Sequence, residues 1–548
     1  MKRQKLKNLM ALLLSGMMLL SACKETSETT KKKKAKKTTT TEEAETTETP
    51  LETTSAETED TGDTSSVSSS DTSSGSLPEV VGAGNIPAED EFADKVRSLP
   101  GVVSVERLPE YEENQYMVYY EMPLDHNDPA KGTFLQRMYI YYMGEDRPNS
   151  FYCSGYSLFN GVGHRFEEVP GEYDLENFAR YYECNFIEPE YRFDGESVPE
   201  GFSYKNPDYW EYLTSSQAAD DFHLMITGLK TILSGKWCFE GMSKGGEFTA
   251  YHLSRYPDDC DLFIAEAAML RCDRGFPGMY EYTWSTAGDD RYGKEKAKEY
   301  RDLLLEFQVE AIKNRDELAE MYYNEASTYG LTLSEDLTPD ILFDCAVLDL
   351  AYLWQYDPEG FFEDIADVLD LKKQAPKEYY LQEIESLLST CYGPWQYEMD
   401  GSEYEDGSRY YNFVFQCYRE DGYYAYDASY LREALEKDGS GAKLSITEDM
   451  EEHLYELRVY KEHRERFSYD PSVCEARCAV VETTTTPLII INGLTDEHHV
   501  AEITETNNPN VHIYNLPGNF HDETEFIDLS VEDFNEFDSI VSEALSIP

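Results

Sequence analysis

The chain has 548 residues, of which 108 are Asp or Glu and 47 are Lys or Arg, so its formal net charge is −61 at pH 7. A surface this acidic repels the phosphates of nucleic acids, which excludes DNA and RNA as partners. It attracts cationic groups instead, such as the free amino terminus of a peptide; solubility alone is the alternative explanation of the charge. The 11 cysteines form no C-x-x-C pair, so they indicate no metal site.

Residues 1–23 have the layout of a bacterial secretory signal. A cationic start is followed by an apolar run, Leu9 to Leu20, that is too short to span a bilayer comfortably. Leu20-Ser21-Ala22-Cys23 then resembles a lipoprotein box, in which cleavage precedes the cysteine and its thiol receives a diacylglycerol. We therefore expect a lipid anchor on Cys23 at the extracellular face of the cell membrane. An ordinary secretory signal or a short membrane anchor are the alternatives.

Residues 24–90 are rich in Thr, Ser, Glu and Lys and have almost no large apolar side chains. Such a segment cannot bury enough surface to offset the entropy lost on ordering. It is therefore predicted to be a disordered tether between the anchor and a folded domain.

Strands and helices alternate after the tether. Strands are expected at 116–122, 134–143, 150–153, 184–188, 236–240 and 262–268, and helices at 214–233 and 246–255. Strands that alternate with helices indicate a mostly parallel α/β sheet.

The pattern changes at residue 273. Acidic, aromatic helical runs follow at 294–325, 339–354 and 447–463, and strands return at 487–492 and 511–516 before a helix at 531–545. This predicts an α/β core in two parts, 91–272 and 480–548, that is split by a helical cap over 273–479.

Gly241-Met242-Ser243-Lys244-Gly245 matches G-x-S-x-G between a predicted strand and a predicted helix. That context is the one a nucleophile elbow requires, because small glycines let the chain turn sharply around an exposed serine. Ser243 is therefore the candidate nucleophile, and an ordinary structural turn is the alternative.

A serine nucleophile needs a base and an acid that orients the base, in the chain order Ser, Asp or Glu, His for α/β-hydrolases. Asp496 and His521 fit this order, since each follows one of the last two predicted strands. His498 and His499 adjoin the acid and are expected to line the rim of the site. Glu497, beside Asp496, and Asp522, beside His521, are the competing carboxylates.

An oxyanion hole needs two backbone N–H donors. We expect one from Lys244, the residue after the nucleophile, and the other from Gly155 or Tyr156 in the loop after an early strand. We favour Tyr156, although Ser154-Gly155 also reads as a simple turn.

Several segments occur in an order that resembles the prolyl tri/tetrapeptidyl aminopeptidases of the S37 serine peptidase family (PS-10 type). They are Pro123-Leu124-Asp125-His126, Glu190-Tyr191-Arg192-Phe193, Tyr212-Leu213-Thr214 and Gly241 to Gly246. The resemblance is strong over 110–270 and moderate over 485–525. Tyr191 departs from the family, where a histidine is usual.

The resemblance implies an α/β-hydrolase fold with a helical cap and an exopeptidase that releases short peptides, typically tripeptides, often after proline. Ser243, Asp496 and His521 take the triad roles. Glu190, with Glu196 beside it, is expected to hold the amino terminus of an oligopeptide substrate, unless Glu190 only pairs with an arginine to fix its loop. No metal or cofactor is implied. The alternatives are an esterase or lipase on the same triad, or an inactive surface lipoprotein that binds peptides.

Overall fold

The computed structural model describes residues 90–108, 114–158, 177–399 and 410–547. The predicted signal segment with Cys23, and the predicted tether up to residue 89, lie outside the described residues. Within the described ranges, no helix combines the length and the apolar character needed to cross a bilayer.

A nine-stranded sheet forms the centre of the fold, in the order β1-β2-β3-β5-β4-β6-β7-β10-β11. Its strands are β1 (Val102–Arg107), β2 (Gln115–Pro123), β3 (Thr133–Tyr141), β4 (Asn149–Tyr152), β5 (Asn185–Pro189), β6 (Trp237–Met242), β7 (Leu262–Glu266), β10 (Leu488–Gly493) and β11 (Val511–Leu516). The pairs β1–β2, β2–β3 and β3–β5 are antiparallel, and all other pairs are parallel.

From β2 onward this order is that of the α/β-hydrolase fold. Strand β3 runs antiparallel to both of its neighbours. Strands β4 and β5 exchange places in the sheet order, and the strands that follow run parallel in chain order. The predicted fold class is therefore confirmed. Strand β1, which pairs antiparallel at the edge beside β2, was not predicted, because its alternation of exposed and half-buried residues is weak.

Helices cover both faces of the sheet, so the central strands are buried on both sides. Every residue of β4, β5, β7 and β10 is buried, as expected for parallel strands beneath helices. The core helices are α1 (Glu91–Arg97), α2 (Asn177–Tyr181), α3 (Ser215–Leu229), α4 (Lys244–Arg255) and α17 (Val531–Leu545). Thr214 caps the N-terminus of α3, because its side chain accepts a hydrogen bond from the N–H of Gln217.

Between β7 and β10 the described chain is almost entirely helical. Its elements are β8 (Arg274–Phe276), α5 (Met279–Ser285), α6 (Asp289–Tyr292), α7 (Lys294–Lys313), α8 (Arg315–Tyr329), α9 (Pro339–Asp349), α10 (Glu359–Leu371), α11 (Lys377–Cys391), α12 (Tyr410–Gln416), β9 (Tyr423–Tyr424), α13 (Ser429–Asp438), α14 (Glu448–Glu451), α15 (Lys461–Arg466) and α16 (Ser472–Thr483). The boundaries 273 and 479 of a separate cap domain stay a prediction.

The longer predicted helices are interrupted. The run 294–325 divides at Asn314, and 447–463 breaks into short helices around Val459 and Tyr460. Both of these side chains are buried, and the N–H of Tyr460 donates to Tyr411 Oη at 3.0 Å. We call the residues between β7 and β10 the insertion. Tertiary packing within the insertion thus overrides the local helical preference.

Candidate active site

Ser243 occupies the sharp turn between β6 and α4. Its backbone has φ +56° and ψ −122°, a left-handed conformation that a non-glycine residue adopts only under strain. Its N–H donates to the carbonyl of Glu266 on the neighbouring strand at 2.8 Å. The serine is therefore held at the carboxyl end of the sheet in the geometry of a nucleophile elbow.

Three glycines make this turn possible. A Cβ on Gly241 would lie 2.6 Å from the backbone of Gly245, and one on Gly245 would lie 1.9 Å from the carbonyl oxygen of Cys153. A Cβ on Gly246 would lie 2.7 Å from the carbonyl oxygen of Glu266. No larger residue fits at these positions, so the motif reflects close backbone packing around Ser243.

His521 and Asp496 form a buried pair at the same edge of the sheet. The Nδ1 atom of His521 lies 2.5 Å from Oδ2 of Asp496, and both side chains are essentially inaccessible to solvent. Asp496 follows β10 and His521 follows β11, and these strands run parallel to β6. The carboxyl ends of parallel strands meet at one edge, so all three predicted triad residues lie there.

The two triad atoms that would exchange a proton lack hydrogen-bond partners. Ser243 Oγ and His521 Nε2 are both buried, and within the described part of the chain neither has a hydrogen-bond partner. These two atoms are therefore available to a bound substrate. Hydrogen bonds between catalytic groups often form fully only when substrate is bound.

Neighbouring groups keep the carboxylate of Asp496 ionised. Burial alone would raise the pKa of Asp496, but the nearby imidazoles of His521 and His498, the ring hydrogen bond of His521 and the backbone N–H of His498 hold that pKa below its usual value. The second oxygen, Oδ1, accepts the N–H of His498 at 2.9 Å. Asp496 is thus an ionised, fully bonded orienting group.

The loop after β4 packs on the start of α4. A Cβ on Gly155 would lie 3.2 Å from the N atom of Gly245, and the carbonyl of Tyr156 accepts the N–H of Tyr191 at 2.9 Å. The two predicted oxyanion donors, Lys244 and Tyr156, therefore belong to segments in contact. The N–H of Tyr156 donates to Ser154 Oγ at 3.2 Å in this structure.

Glu190 does not have the environment predicted for it. Its side chain is fully buried and forms a two-point ion pair with Arg137, at 2.9 Å to Nε and 2.6 Å to Nη2. Its oxygens also accept the N–H groups of Leu158 and Glu196 and both donors of Ser197. A carboxylate bound this completely cannot receive a substrate ammonium, so we correct the prediction: Glu190 fixes the loop after β5.

Glu196 is exposed, with 72% of its side chain accessible, and lies 3.3 Å from Nη1 of Arg137. It extends the Arg137–Glu190 pair toward solvent. Arg192, the other charged residue of the segment, pairs with Asp221 instead, at 2.7 Å and 2.8 Å. The segment thus uses both of its charges to join β3, β5 and α3.

His498, which was expected to line the rim of the site, lies beside the triad histidine. His498 is buried, its ring centroid is 5.4 Å from that of His521, and its Nδ1 atom lies 3.1 Å from Tyr424 Oη. Burial lowers its pKa to about 4, so it is neutral near pH 7. His499 is half-buried against the ring of Tyr282, 4.2 Å away.

Asp496, Glu497 and His498 are the one group in the described ranges whose ligand atoms lie close enough to hold a metal ion. Two of the three are already engaged, because Asp496 bonds His521 and His498 bonds Tyr424. We therefore assign no metal to the group. The ten cysteines of the described ranges are all free thiols.

Sequence reasoning missed the segment 349–356, which ends α9 and continues as a short 3₁₀ helix. The carbonyl of Gln355 accepts the N–H of His521 at 2.9 Å, and the ring of Tyr356 lies edge-on to His521 at 6.4 Å. No motif marks this segment, since it reaches the triad only through the fold of the insertion.

The fold and the site together define an α/β-hydrolase with a serine nucleophile elbow. Residues 86–399 match the family model described as PS-10 peptidase S37, which spans more than half of the sequence, so the chain belongs to that family.

A prolyl tri/tetrapeptidyl aminopeptidase of Streptomyces mobaraensis is 30% identical over 286 residues, which are 50% of this chain and 54% of that protein. The chain thus spans about half the length of that relative. Among solved structures, proline iminopeptidase of Mycobacterium smegmatis is 14% identical over 78% of this chain and 97% of its own, with a TM-score of 0.28. Bacillus megaterium epoxide hydrolase is 13% identical over 75% and 97%, with a TM-score of 0.27. The fold assignment rests on the strand order alone.

Proposed function

We propose that this protein is a serine exopeptidase that releases short peptides, tripeptides in the first instance, from the amino termini of oligopeptides. The observation that carries the proposal is the His521–Asp496 pair at the same sheet edge as the strained Ser243, in a chain of the S37 peptidase family. Proline before the scissile bond is the preference to test first, because the Streptomyces relative bears that name.

The chemistry is acyl transfer. Ser243 Oγ attacks the scissile carbonyl while His521 Nε2 takes its proton, and Asp496 stabilises the imidazolium that forms. The N–H groups of Lys244 and Tyr156 stabilise the oxyanion. The leaving amine takes the proton from Nε2, and water, deprotonated by the same nitrogen, then releases the acyl peptide and restores Ser243.

An exopeptidase also needs a partner for the substrate ammonium, and Asp349 is the candidate that replaces Glu190. Its side chain is fully buried, Oδ2 accepts the hydroxyls of Tyr397 at 2.6 Å and Tyr426 at 3.1 Å, and Oδ1 has no partner among the described residues. Burial raises its pKa to about 6. The positive charge of the buried Arg458 partly offsets this rise. The vacant acceptor Oδ1 suits an ammonium ion.

Aromatic side chains connect Asp349 to the triad. Tyr352 lies one helical turn further along the same segment, its ring is 5.7 Å from that of His498, and His498 is 5.4 Å from His521. This places Asp349 in the neighbourhood of the triad, and the length of the released peptide is proposed from the name of the Streptomyces relative.

A peptide library digested by the purified protein and read by mass spectrometry tests the proposal, because it reports fragment length and the residue before the cut together. We expect short amino-terminal fragments, and Ser243→Ala should abolish both cleavage and labelling by a fluorophosphonate. Ser254→Ala, an exposed serine at the other end of α4, is the matched control. Cleavage of acyl esters with no peptide cleavage would favour the esterase alternative. Labelling of Ser243→Ala by the fluorophosphonate would exclude Ser243 as the nucleophile.

We also propose that the protein is anchored by a lipid on Cys23 at the outer face of the cell membrane. The supporting observation is the sequence Leu20-Ser21-Ala22-Cys23 after a short apolar run. Metabolic labelling with a fatty-acid probe tests it. The native chain should be labelled and sediment with membranes, whereas Cys23→Ser should be unlabelled; an unlabelled native chain would contradict the anchor.

A further inference from the structure

The side chain of Lys244 turns away from solvent and into the loop after β4. Only 3% of the residue is exposed, and Nζ donates a hydrogen bond to the carbonyl oxygen of Gly155 at 2.6 Å. The ammonium lies 4.8 Å from the ring centroid of Tyr156 and 4.4 Å from that of Tyr191. Burying an ammonium is costly, so this carbonyl and these two aromatic faces must compensate for the lost hydration.

The contacted carbonyl belongs to the peptide unit that carries the predicted second oxyanion donor. The C=O of Gly155 and the N–H of Tyr156 lie on the two sides of one planar trans peptide and point in opposite directions. Any group that holds the carbonyl therefore also fixes the direction of the N–H.

Gly155 has no side chain that restrains this peptide unit. Gly155 has φ +80°, a region where glycine has no steric penalty, and a Cβ there would lie 3.1 Å from Cγ of Lys244. The N–H of Tyr156 meanwhile donates to Ser154 Oγ at 3.2 Å, the long end of the hydrogen-bond range. That weak partner is one that a developing oxyanion can displace.

We propose that the ammonium of Lys244 is a positioning residue for the oxyanion hole, an inference that rests on the proposed serine-hydrolase chemistry. One residue thereby supplies both halves of the hole: its own N–H at the start of α4, and, through its side chain, the orientation of the Tyr156 N–H. The bond to a cation also polarises the Gly155–Tyr156 peptide, which makes its N–H a stronger donor.

The competing explanation is that Lys244 only fills space. Its side chain lines a small pocket together with Glu247, Asp421 and Arg477, and a buried lysine there would stabilise the fold without affecting the reaction. The two explanations differ in which kinetic constant they change, since a misdirected oxyanion donor weakens binding of the transition state and leaves substrate binding intact.

Lys244→Met removes the ammonium and keeps the length of the side chain, and Lys244→Arg keeps the positive charge. For Lys244→Met we expect kcat to fall on the order of 10²-fold, as for loss of one oxyanion donor, with KM unchanged. Affinity for a tripeptidyl aldehyde, which forms a tetrahedral adduct, should fall in parallel, while affinity for the product tripeptide should not change. Lys244→Arg should recover part of the lost kcat.

Equal losses in aldehyde and product binding, or a kcat close to that of the native protein, would overturn the inference. Should Lys244→Met fail to fold, Gly155→Ala tests the same geometry, because it displaces the peptide while Lys244 remains. It should give the same fall in kcat and in aldehyde affinity, and an unchanged kcat would again overturn the inference. An inactive native protein would instead refute the proposed function.

Discussion

His521 Nδ1 and Asp496 Oδ2 lie 2.5 Å apart, although the two residues are 25 positions apart in the chain and follow different strands. A carboxylate at Nδ1 selects the tautomer with its proton on that nitrogen, which leaves Nε2 as the base. The other oxygen of Asp496 is fixed by the N–H of His498. The imidazole is therefore oriented before any substrate arrives.

Asp496→Asn should reduce kcat by about 10⁴-fold, because an amide at this position favours the wrong tautomer of His521 and cannot stabilise the imidazolium. KM should change little. Asp522→Asn is the matched control, since Asp522 adjoins His521 in the chain while the carboxylate bonded to the imidazole is that of Asp496. Steady-state kinetics on a tripeptidyl reporter measures both variants, and a larger loss from Asp522→Asn would transfer the role of triad acid to that residue.

Asp349→Asn should weaken binding of peptides with a free amino terminus by about 10-fold to 100-fold, because a charge-assisted bond is lost. Inhibition constants of a tripeptide and its N-acetyl form measure this effect, and only the first should change. Since the pKa of Asp349 is about 6, the native protein should lose this discrimination as pH falls below that value. Asp340→Asn, an exposed residue on α9, should behave like the native protein; preserved discrimination in Asp349→Asn would exclude Asp349 as the ammonium site.

Glu190→Gln should destabilise the fold by about 3–5 kcal/mol, because it leaves the buried guanidinium of Arg137 without its counter-charge. Glu196→Gln, which removes the same charge from an exposed side chain, should cost less than about 1 kcal/mol. Urea unfolding measures both. The KM of folded Glu190→Gln for tripeptidyl substrates should match that of the native protein, and a selective rise in this KM would restore Glu190 as a substrate-binding residue.

Much of the core and its nucleophile could be predicted from sequence because the signals are local. The strand 511–516 and the helix 531–545 are confirmed residue for residue, and G-x-S-x-G encodes backbone approaches within a few residues of Ser243. Local periodicity and turn chemistry are sufficient at such places.

The misinterpreted residues depend on partners that are distant in the chain. Glu190 meets Arg137 from a strand 53 residues earlier, and His498 is buried by Tyr424 from the insertion. Asp349 acquires its tyrosine hydroxyls in the same way, from positions 397 and 426. A single sequence holds no record of such pairings. Glu190 was therefore expected to bind substrate, whereas its contacts stabilise the fold.

Stability should depend on pH through Glu240, a buried residue of β6 whose carboxyl is bonded by the hydroxyl of Ser150. Burial raises its pKa to about 8, whereas an unfolded chain would give it a pKa of about 4.3. Between these values the folded protein retains a proton that the unfolded chain releases, so the free energy of unfolding falls as pH rises, by up to about 1.4 kcal/mol per pH unit for this group. Above pH about 8 both states are ionised and this contribution to the slope ends.

Glu240→Gln replaces the titrating carboxyl by an amide that does not ionise. The variant should therefore gain stability relative to the native protein as pH rises from about 5 to about 8. Comparing the two proteins isolates Glu240 from other buried carboxyls, such as Glu247, whose pKa is also raised to about 8 by burial. Urea unfolding at three pH values in this window measures the difference, and Glu121→Gln, an exposed residue of β2, should follow the native protein at each of them. A difference that stays constant with pH would show that Glu240 is already ionised in the folded state, and that water or an additional donor reaches it inside the sheet.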